Sequence, residues 1–282
     1  MNTLKTWILM GILTVILVLI GRFIGGAAGM LFFLVLSIAM NAIAYWTSGS
    51  MAIAMTRSYP VSERELPEVY AIVRRLTQRA GLPMPEIYVT PSPQPNAFAT
   101  GRDPKHAKVA VTEGILRVLP SRELEGVLAH EIGHVRNRDI LISSMAAMLA
   151  GVITYIANIL QWGMWFGMGD RDDRDGGNAL AEIAMIILAP LAATVIQLAI
   201  SRSREYQADA TGARLVGDGN PLADALEHLE AYARQVPSGF NPATSHLFIV
   251  NPLRGQSIVQ LFSTHPPTEE RVRRLRAMRI SH

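Results

Sequence analysis

Of the 282 residues, 50% are hydrophobic and only 17% are charged, where a typical soluble domain carries about 25% charged residues; the deficit points to a membrane protein. Lys and Arg number 26 against 23 Asp and Glu, and a net charge of +3 with no basic face demonstrated gives no ground for a nucleic-acid partner. Cysteine is absent, which excludes disulfide frameworks, Cys-based zinc fingers, iron–sulfur clusters and thiol nucleophiles.

Trp7 to Gly21 is uncharged, Arg22 interrupts, and Phe23 to Met55 is uncharged again, with Gly25, Gly26 and Gly29 between the apolar runs. A spanning helix needs about 20 apolar residues, so two spans are expected near residues 6–24 and 29–46, forming a first transmembrane hairpin within residues 1–48. A cleaved signal peptide would share Lys5, the apolar run and the small residues GGAAG. Because a second apolar run follows at once, two close-coupled spans account for both.

Residues 49–139 have the patterning of a water-soluble block. Val69, Ile72, Val73 and Leu76 recur at helical spacing between Pro67 and Ala80, and Gly81 with Pro83 ends the pattern. Glu86 to Thr90 is a strand candidate closed by PSPQP, and Asn96 to Thr100 with Lys108 to Thr112 has the form of a hairpin. Pro120 and Ser121, followed by Glu123 and Glu125, mark a helix start with Ser121 as N-cap and acids in the first turn. That helix runs through His130 and His134.

A third uncharged run covers Ile140 to Gly169 and a fourth Ile183 to Ile200, separated by the acidic, Gly-rich DRDDRDGGN. Such lengths suit a second transmembrane hairpin, residues 140–200, better than buried helices of a soluble core. Residues 201–282 return to soluble patterning, with helices expected from Ser201 to Val216 and from Leu222 to Arg234. Twelve basic residues lie in residues 49–139 and 10 in residues 201–282. The positive-inside rule therefore places both blocks, and with an even number of spans both termini, in the cytoplasm. The two blocks are expected to form one domain interrupted by the second hairpin.

His130-Glu131-Ile132-Gly133-His134 is an H-E-x-x-H pattern. Spacing of four puts both imidazoles on one helical face, where they can share a metal ion, with Glu131 beside them as a base for water. Imidazole and carboxylate donors suit zinc, and a catalytic site needs a third protein ligand. Glu205 is the candidate, with Asp209 one turn on as acceptor for a ligand histidine's free N–H. The same spacing also fits a solvated Arg-Glu-Asp face making pairs along the helix.

These segments, together with PNAFATGRDPKHAKVAVTEGIL, HEIGHVRNRD, SRSREYQADATGARL, NPATSHLFIVNPL and FSTHPPTEERVRRL, resemble the HtpX-type membrane zinc metalloproteases and, more distantly, the prenyl-protein proteases of the same gluzincin group. The resemblance spans nearly the whole chain. It implies an α+β, mostly helical fold: four transmembrane helices in two hairpins and a cytoplasmic zincin-like metalloprotease domain. It also implies one Zn2+ per chain on His130, His134 and Glu205, with Glu131 as general base. Multi-pass residence in a bacterial inner membrane, and cleavage of damaged, misassembled or unfolded membrane polypeptides as quality control under stress, are implied too. His265, in Thr264-His265-Pro266-Pro267, is similar to the family's His-Pro motif, which implies a transition-state or switch residue near the metal; an extra zinc ligand and a residue of a Pro-rich turn are the alternatives. Tyr206 and His246 compete weakly for the donor role, and His106, His228 and His282 are expected to be solvated.

Substrate is expected to add as an extended strand to a sheet edge, with Asn96 to Thr100 and Lys108 to Thr112 as candidate edges. Other readings fare less well. An ATP-driven protease needs a P-loop, and none occurs. An intramembrane protease would bury its motif in a span, whereas Arg122, Glu123, Glu125, Arg136, Arg138 and Asp139 flank this one. A scaffold or transporter has no reason to hold one zinc. Oligomeric state is not encoded legibly.

Overall fold

The computed structural model describes residues 2–144, 202–235 and 266–279. Helix α1, Asn2–Met55, departs from helical geometry at Gly25 (φ −129°, ψ 18°) and Gly26 (φ 60°, ψ −139°). The second of these conformations is open to glycine alone, since a Cβ would clash with the backbone. There the helix folds back on itself. Gly21 and Gly29 meet so closely that a Cβ on either would strike the other's backbone. Further down, Asn41 Nδ2 donates to Thr14 Oγ1 at 2.9 Å and the Trp7 ring stacks on Tyr45 at 6.3 Å. The two arms expected of the first hairpin therefore lie against each other, and the polar Asn41 is satisfied across them.

The arm Gly25–Met55 is long and apolar enough to cross a membrane by length and composition. Its Leu31, Phe32, Val35, Ile38 and Ile43 are exposed, a contiguous apolar surface that water would penalise. The helix resuming at residues 140–144 packs Leu141 against Met10 and Ala44 of this hairpin. The remainder of the expected second hairpin lies outside the described residues.

The last turns of α1 dock on the soluble part. Gly49 sits against Gly101, where a Cβ would come within 2.9 Å of the Gly101 Cα, and Ile53 packs with Phe98 and Ala110. A four-stranded sheet follows, in the order β1-β2-β4-β3, from β1 (Tyr59–Pro60), β2 (Glu86–Thr90), β3 (Ala97–Thr100) and β4 (Lys108–Thr112). β3 and β4 form the expected antiparallel hairpin, Ala97 opposite Val111 and Thr100 opposite Lys108, while β2 and β4 run parallel. β1 was not anticipated. As a two-residue edge strand it tolerates Pro60, whose missing N–H interrupts no ladder. One candidate for the substrate edge is corrected by this order: Lys108–Thr112 lies between β2 and β3, with both sides paired. β3 is an edge strand, paired on one side only, and all four of its residues are buried.

Helix α2, Pro67–Ala80, buries Val69, Ile72, Val73 and Leu76 as the periodicity predicts, and Gly81 closes it in the left-handed region (φ 67°). A short helix α3, Glu113–Val118, escaped the sequence reading. Helix α4, Ser121–Asn137, is capped differently from the expectation. Pro120 occupies the N-cap with an extended backbone and no side-chain cap, its carbonyl accepting from Leu124 N at 3.0 Å, while Ser121 is already helical.

α4 is the central element. Val127, Leu128, Ala129 and Ile132 are fully buried, and α2, β3, α5 (Arg202–Val216) and α6 (Asn220–Gln235) all pack on it. Helix α7, Thr268–Arg276, lies on α6 and α5 and also escaped the sequence reading.

Candidate metal centre

α4 and α5 come together through small residues. A Cβ on Gly133 would lie 2.9 Å from the Ala208 carbonyl oxygen, and one on Gly212 would lie 2.9 Å from His130 N. This close approach carries Glu205, in the first turn of α5, to the histidine face of α4. The two Nε2 atoms of His130 and His134 are 3.1 Å apart, and Glu205 Oε2 and Oε1 lie 3.6 Å from His130 Nε2 and His134 Nε2 respectively.

One donor atom from each of the three residues falls within 4.8 Å of the others. Donors about 2.0–2.1 Å from a tetrahedral zinc stand about 3.3 Å from one another, so these spacings fit that ion. Charge agrees with geometry. Glu131, Glu205, Asp209 and Asp139 are buried around the cluster and face two buried arginines, Arg204 and Arg271. Among the described residues, four buried carboxylates stand against two buried arginines there, a balance that suits a cation.

Both ligand histidines are held from behind. Asp209 Oδ1 lies 2.8 Å from His130 Nδ1, and Asp139 Oδ2 lies 3.1 Å from His134 Nδ1. A carboxylate at Nδ1 favours the tautomer with its proton there, which leaves Nε2 free to ligate. In the metal-free protein, burial works against charging His134, but Asp139 and Glu205 outweigh it and raise the ring to about 10. Burial likewise opposes a proton on His130, and Asp209 and Glu205 prevail to raise it. Asp209 itself is pushed up by burial yet held down at about 2 by Arg271 and His130.

Glu131 is buried beside the cluster, and its Oε2 accepts a hydrogen bond from Ala99 N of β3 at 2.8 Å. Burial pushes its carboxyl up, partly offset by the two histidines. The motif helix and the edge strand are thus linked at the residue suited to handle a proton.

The expected His130, Glu131, His134, Glu205 and Asp209 are brought together; His265, His246 and His282 lie outside the described residues. Tyr206 is half-buried with Arg274 stacked 3.9 Å over its ring. His106 and His228 are exposed and paired with Asp103 and Glu123.

Two residues at the site escaped the sequence reading. Asp139 stands five positions after His134, past the left-handed Arg138 (φ 57°) that ends α4, so helical spacing does not reveal it. Arg271 is one of several arginines in α7, but is 1% exposed and bonds both Asp209 oxygens. A Val272–Leu275 apolar pair in an otherwise charged helix was the available signal that one face of α7 is buried.

Comparison with known proteins gives the family. The model of Peptidase family M48 matches residues 63–279. A protease HtpX homolog of Pelotomaculum thermopropionicum is 60% identical, over 99% of this chain and 100% of that protein. Another from Pyrococcus furiosus is 54% identical, over 96% of this chain and 94% of that protein. The crystal structure of S. mikatae Ste24p shares the fold at 18% identity and a TM-score of 0.53; the match covers 97% of this chain but only 64% of that one. With the family matched over most of its length and a histidine–histidine–glutamate cluster at its centre, the chain belongs to peptidase family M48 and is a metallopeptidase.

Proposed function

We propose that the protein is a membrane-embedded zinc endopeptidase, with one Zn2+ per chain held by His130, His134 and Glu205. The convergence of those three donors carries the reading. A zinc ion held there would supply a Lewis acid for the scissile carbonyl and lower the pKa of a bound water towards neutrality.

Glu131 acts as the general base, taking a proton from the attacking water and delivering it to the leaving amine nitrogen. Its Oε2 is fixed by Ala99 N, and Oε1 has no hydrogen-bond partner among the described residues. Substrate lies along β3. Thr112 N donates to the Asn96 carbonyl at 2.9 Å, so in the antiparallel alternation Ala97 and Ala99 turn their peptide groups to the side without a strand partner. The Ala97 peptide groups and the Ala99 carbonyl are the ones an added strand would pair with once this buried edge is uncovered, a mode that demands little of the side chains. His265 is proposed as a donor to the developing oxyanion, with a residue of a Pro-rich turn as the alternative.

Membrane residence is supported by the hairpin of α1 and its bare apolar surface. The reading extends to four spans, with the site and both termini in the cytoplasm of a bacterial cell and the chain multi-pass in its inner membrane. Damaged, misassembled or unfolded membrane polypeptides are then the substrates, in quality control under stress.

The deciding experiment compares zinc content and cleavage of an unfolded protein between detergent-purified wild type and Glu131→Gln. One zinc in both with cleavage by wild type alone is the expected result; no zinc in either, or cleavage surviving the substitution, overturns the reading.

A further inference from the structure

At the open end of the α1 hairpin, a cavity of about 140 Å3 lies between the hairpin and the soluble part, lined by Trp7, Tyr45, Arg102, Asp103, Arg138 and Leu141 among others. We propose that it binds the phosphate of an anionic phospholipid headgroup. The proposal rests on the membrane reading of α1.

Depth is the first argument. Trp7 precedes the Gly25 turn by eighteen residues, about 27 Å at a helical rise of about 1.5 Å per residue. That is close to the ~30 Å thickness of a bilayer's hydrocarbon core. With the turn at the far face, Trp7, Tyr45 and Trp46 stand at the near headgroup level, where aromatic rings are favoured.

Charge is the second. Arg102 stacks its guanidinium over Trp46 at 4.7 Å, held at the interface by a neutral ring. The nearby Asp103 carboxylate is already engaged, accepting from Lys105 N and His106 N and meeting His106 Nδ1 at 2.8 Å. Its ion pair with Arg102 Nε is long, at 3.6 Å. Arg138 is exposed and has no acidic partner among the described residues. It occupies a left-handed C-cap (φ 57°), a position that ordinarily favours glycine. Two arginines therefore line the cavity against one committed carboxylate, and arginine suits phosphate oxygens through its fork of donors.

Size is the third. Pockets that enclose whole small molecules run to ~300–1,000 Å3, so this smaller cavity suits a headgroup whose chains stay in the bilayer. Position gives the site its consequence: Arg138 adjoins Asp139, the carboxylate at His134 Nδ1, and Leu141 packs on the hairpin. A bound headgroup bridges the membrane hairpin and the segment that supports a candidate metal ligand.

The test is native mass spectrometry of the full chain, released from mixed phosphatidylcholine–phosphatidylglycerol nanodiscs with increasing phosphatidylglycerol. One phosphatidylglycerol should be retained more tightly than the rest. Arg102→Gln/Arg138→Gln should bind it about 30-fold more weakly, from ~1 kcal/mol per interfacial arginine. Arg64→Gln/Arg117→Gln, at exposed arginines outside the cavity, should bind it as wild type does. Each single cavity substitution is run beside the double, so that a folding defect in one variant cannot pass for loss of lipid.

Undiminished retention in the cavity variants, retention of phosphatidylcholine as tight as that of phosphatidylglycerol, or displacement of the lipid by excess inorganic phosphate overturns the assignment. Zinc content and resistance to alkaline extraction, measured on the same samples, report separately on the metal centre and on membrane insertion. Absence of phosphatidylglycerol selectivity in the wild type, with both intact, refutes the headgroup site alone.

Discussion

Arg271 grips Asp209 with two hydrogen bonds, Nε to Oδ2 at 2.9 Å and Nη2 to Oδ1 at 2.7 Å, and Asp209 meets His130 Nδ1 at 2.8 Å. A chain of three buried groups thus runs from the C-terminal helix to a candidate metal ligand. Removing one partner of such a pair leaves an uncompensated buried charge, at a cost of about 3–5 kcal/mol. Arg271→Gln should lower the thermal midpoint and weaken zinc binding by about 10- to 100-fold. Arg271→Lys restores the charge without the fork and should recover stability better than zinc affinity. Zinc affinity unchanged in both variants would detach Arg271 from the metal centre.

Acid should act through the same pair. Asp209 is held at about 2 in the folded chain, below the ~3.9 of an unfolded aspartate. Its contribution is complete above the unfolded value and is lost as pH falls from about 4 towards 2. Circular dichroism of the metal-free protein in detergent should therefore show an acid transition that Arg271→Gln shifts to higher pH, because the depressed pKa rises once the guanidinium is gone. Coincident acid transitions would contradict the assignment.

Local pattern made the first half of this centre legible and left the second half obscure. His130, Glu131 and His134 announce themselves because four residues are nearly one helical turn. Glu205 and Asp209 share that spacing on α5, but a solvated face would as well, and what separates the two is the approach of Gly133 and Gly212 across the helix pair. Arg271 reaches Asp209 over 62 positions of sequence, a distance that periodicity does not bridge. The fold-back of α1 was legible because two apolar runs are separated by glycines, Gly25 and Gly26 among them. The parallel pairing of β2 with β4 and the two-residue β1 were not, since strand order follows from tertiary packing.

Asp139 makes a separate prediction. It is 1% exposed, and its Oδ2 is 3.1 Å from His134 Nδ1. Asp139→Asn keeps the shape but loses the charge that favours the Nδ1–H tautomer, and should reduce zinc affinity about 10- to 100-fold. Competition with a chromophoric chelator measures this directly. Wild-type affinity in the variant would reduce Asp139 to a residue that merely ends α4.

Packing between α4 and α5 sets where Glu205 stands, so it can be altered without touching a ligand. A Cβ at Gly212 would fall 2.9 Å from both Ala129 C and His130 N, backbone atoms that cannot swing aside. Gly212→Val should force the helices apart, costing about 1–3 kcal/mol through overpacking and moving Glu205 off the two Nε2 atoms. The expected result is a lower melting temperature together with reduced zinc content, even though His130, His134 and Glu205 are all intact. Gly219→Val offers the control: it also crowds backbone, that of Leu275, but at the α6–α7 side of the fold, and should lower stability while leaving zinc content at one per folded chain. Equal zinc loss in both variants would show that the centre responds to global stability rather than to the separation of α4 and α5.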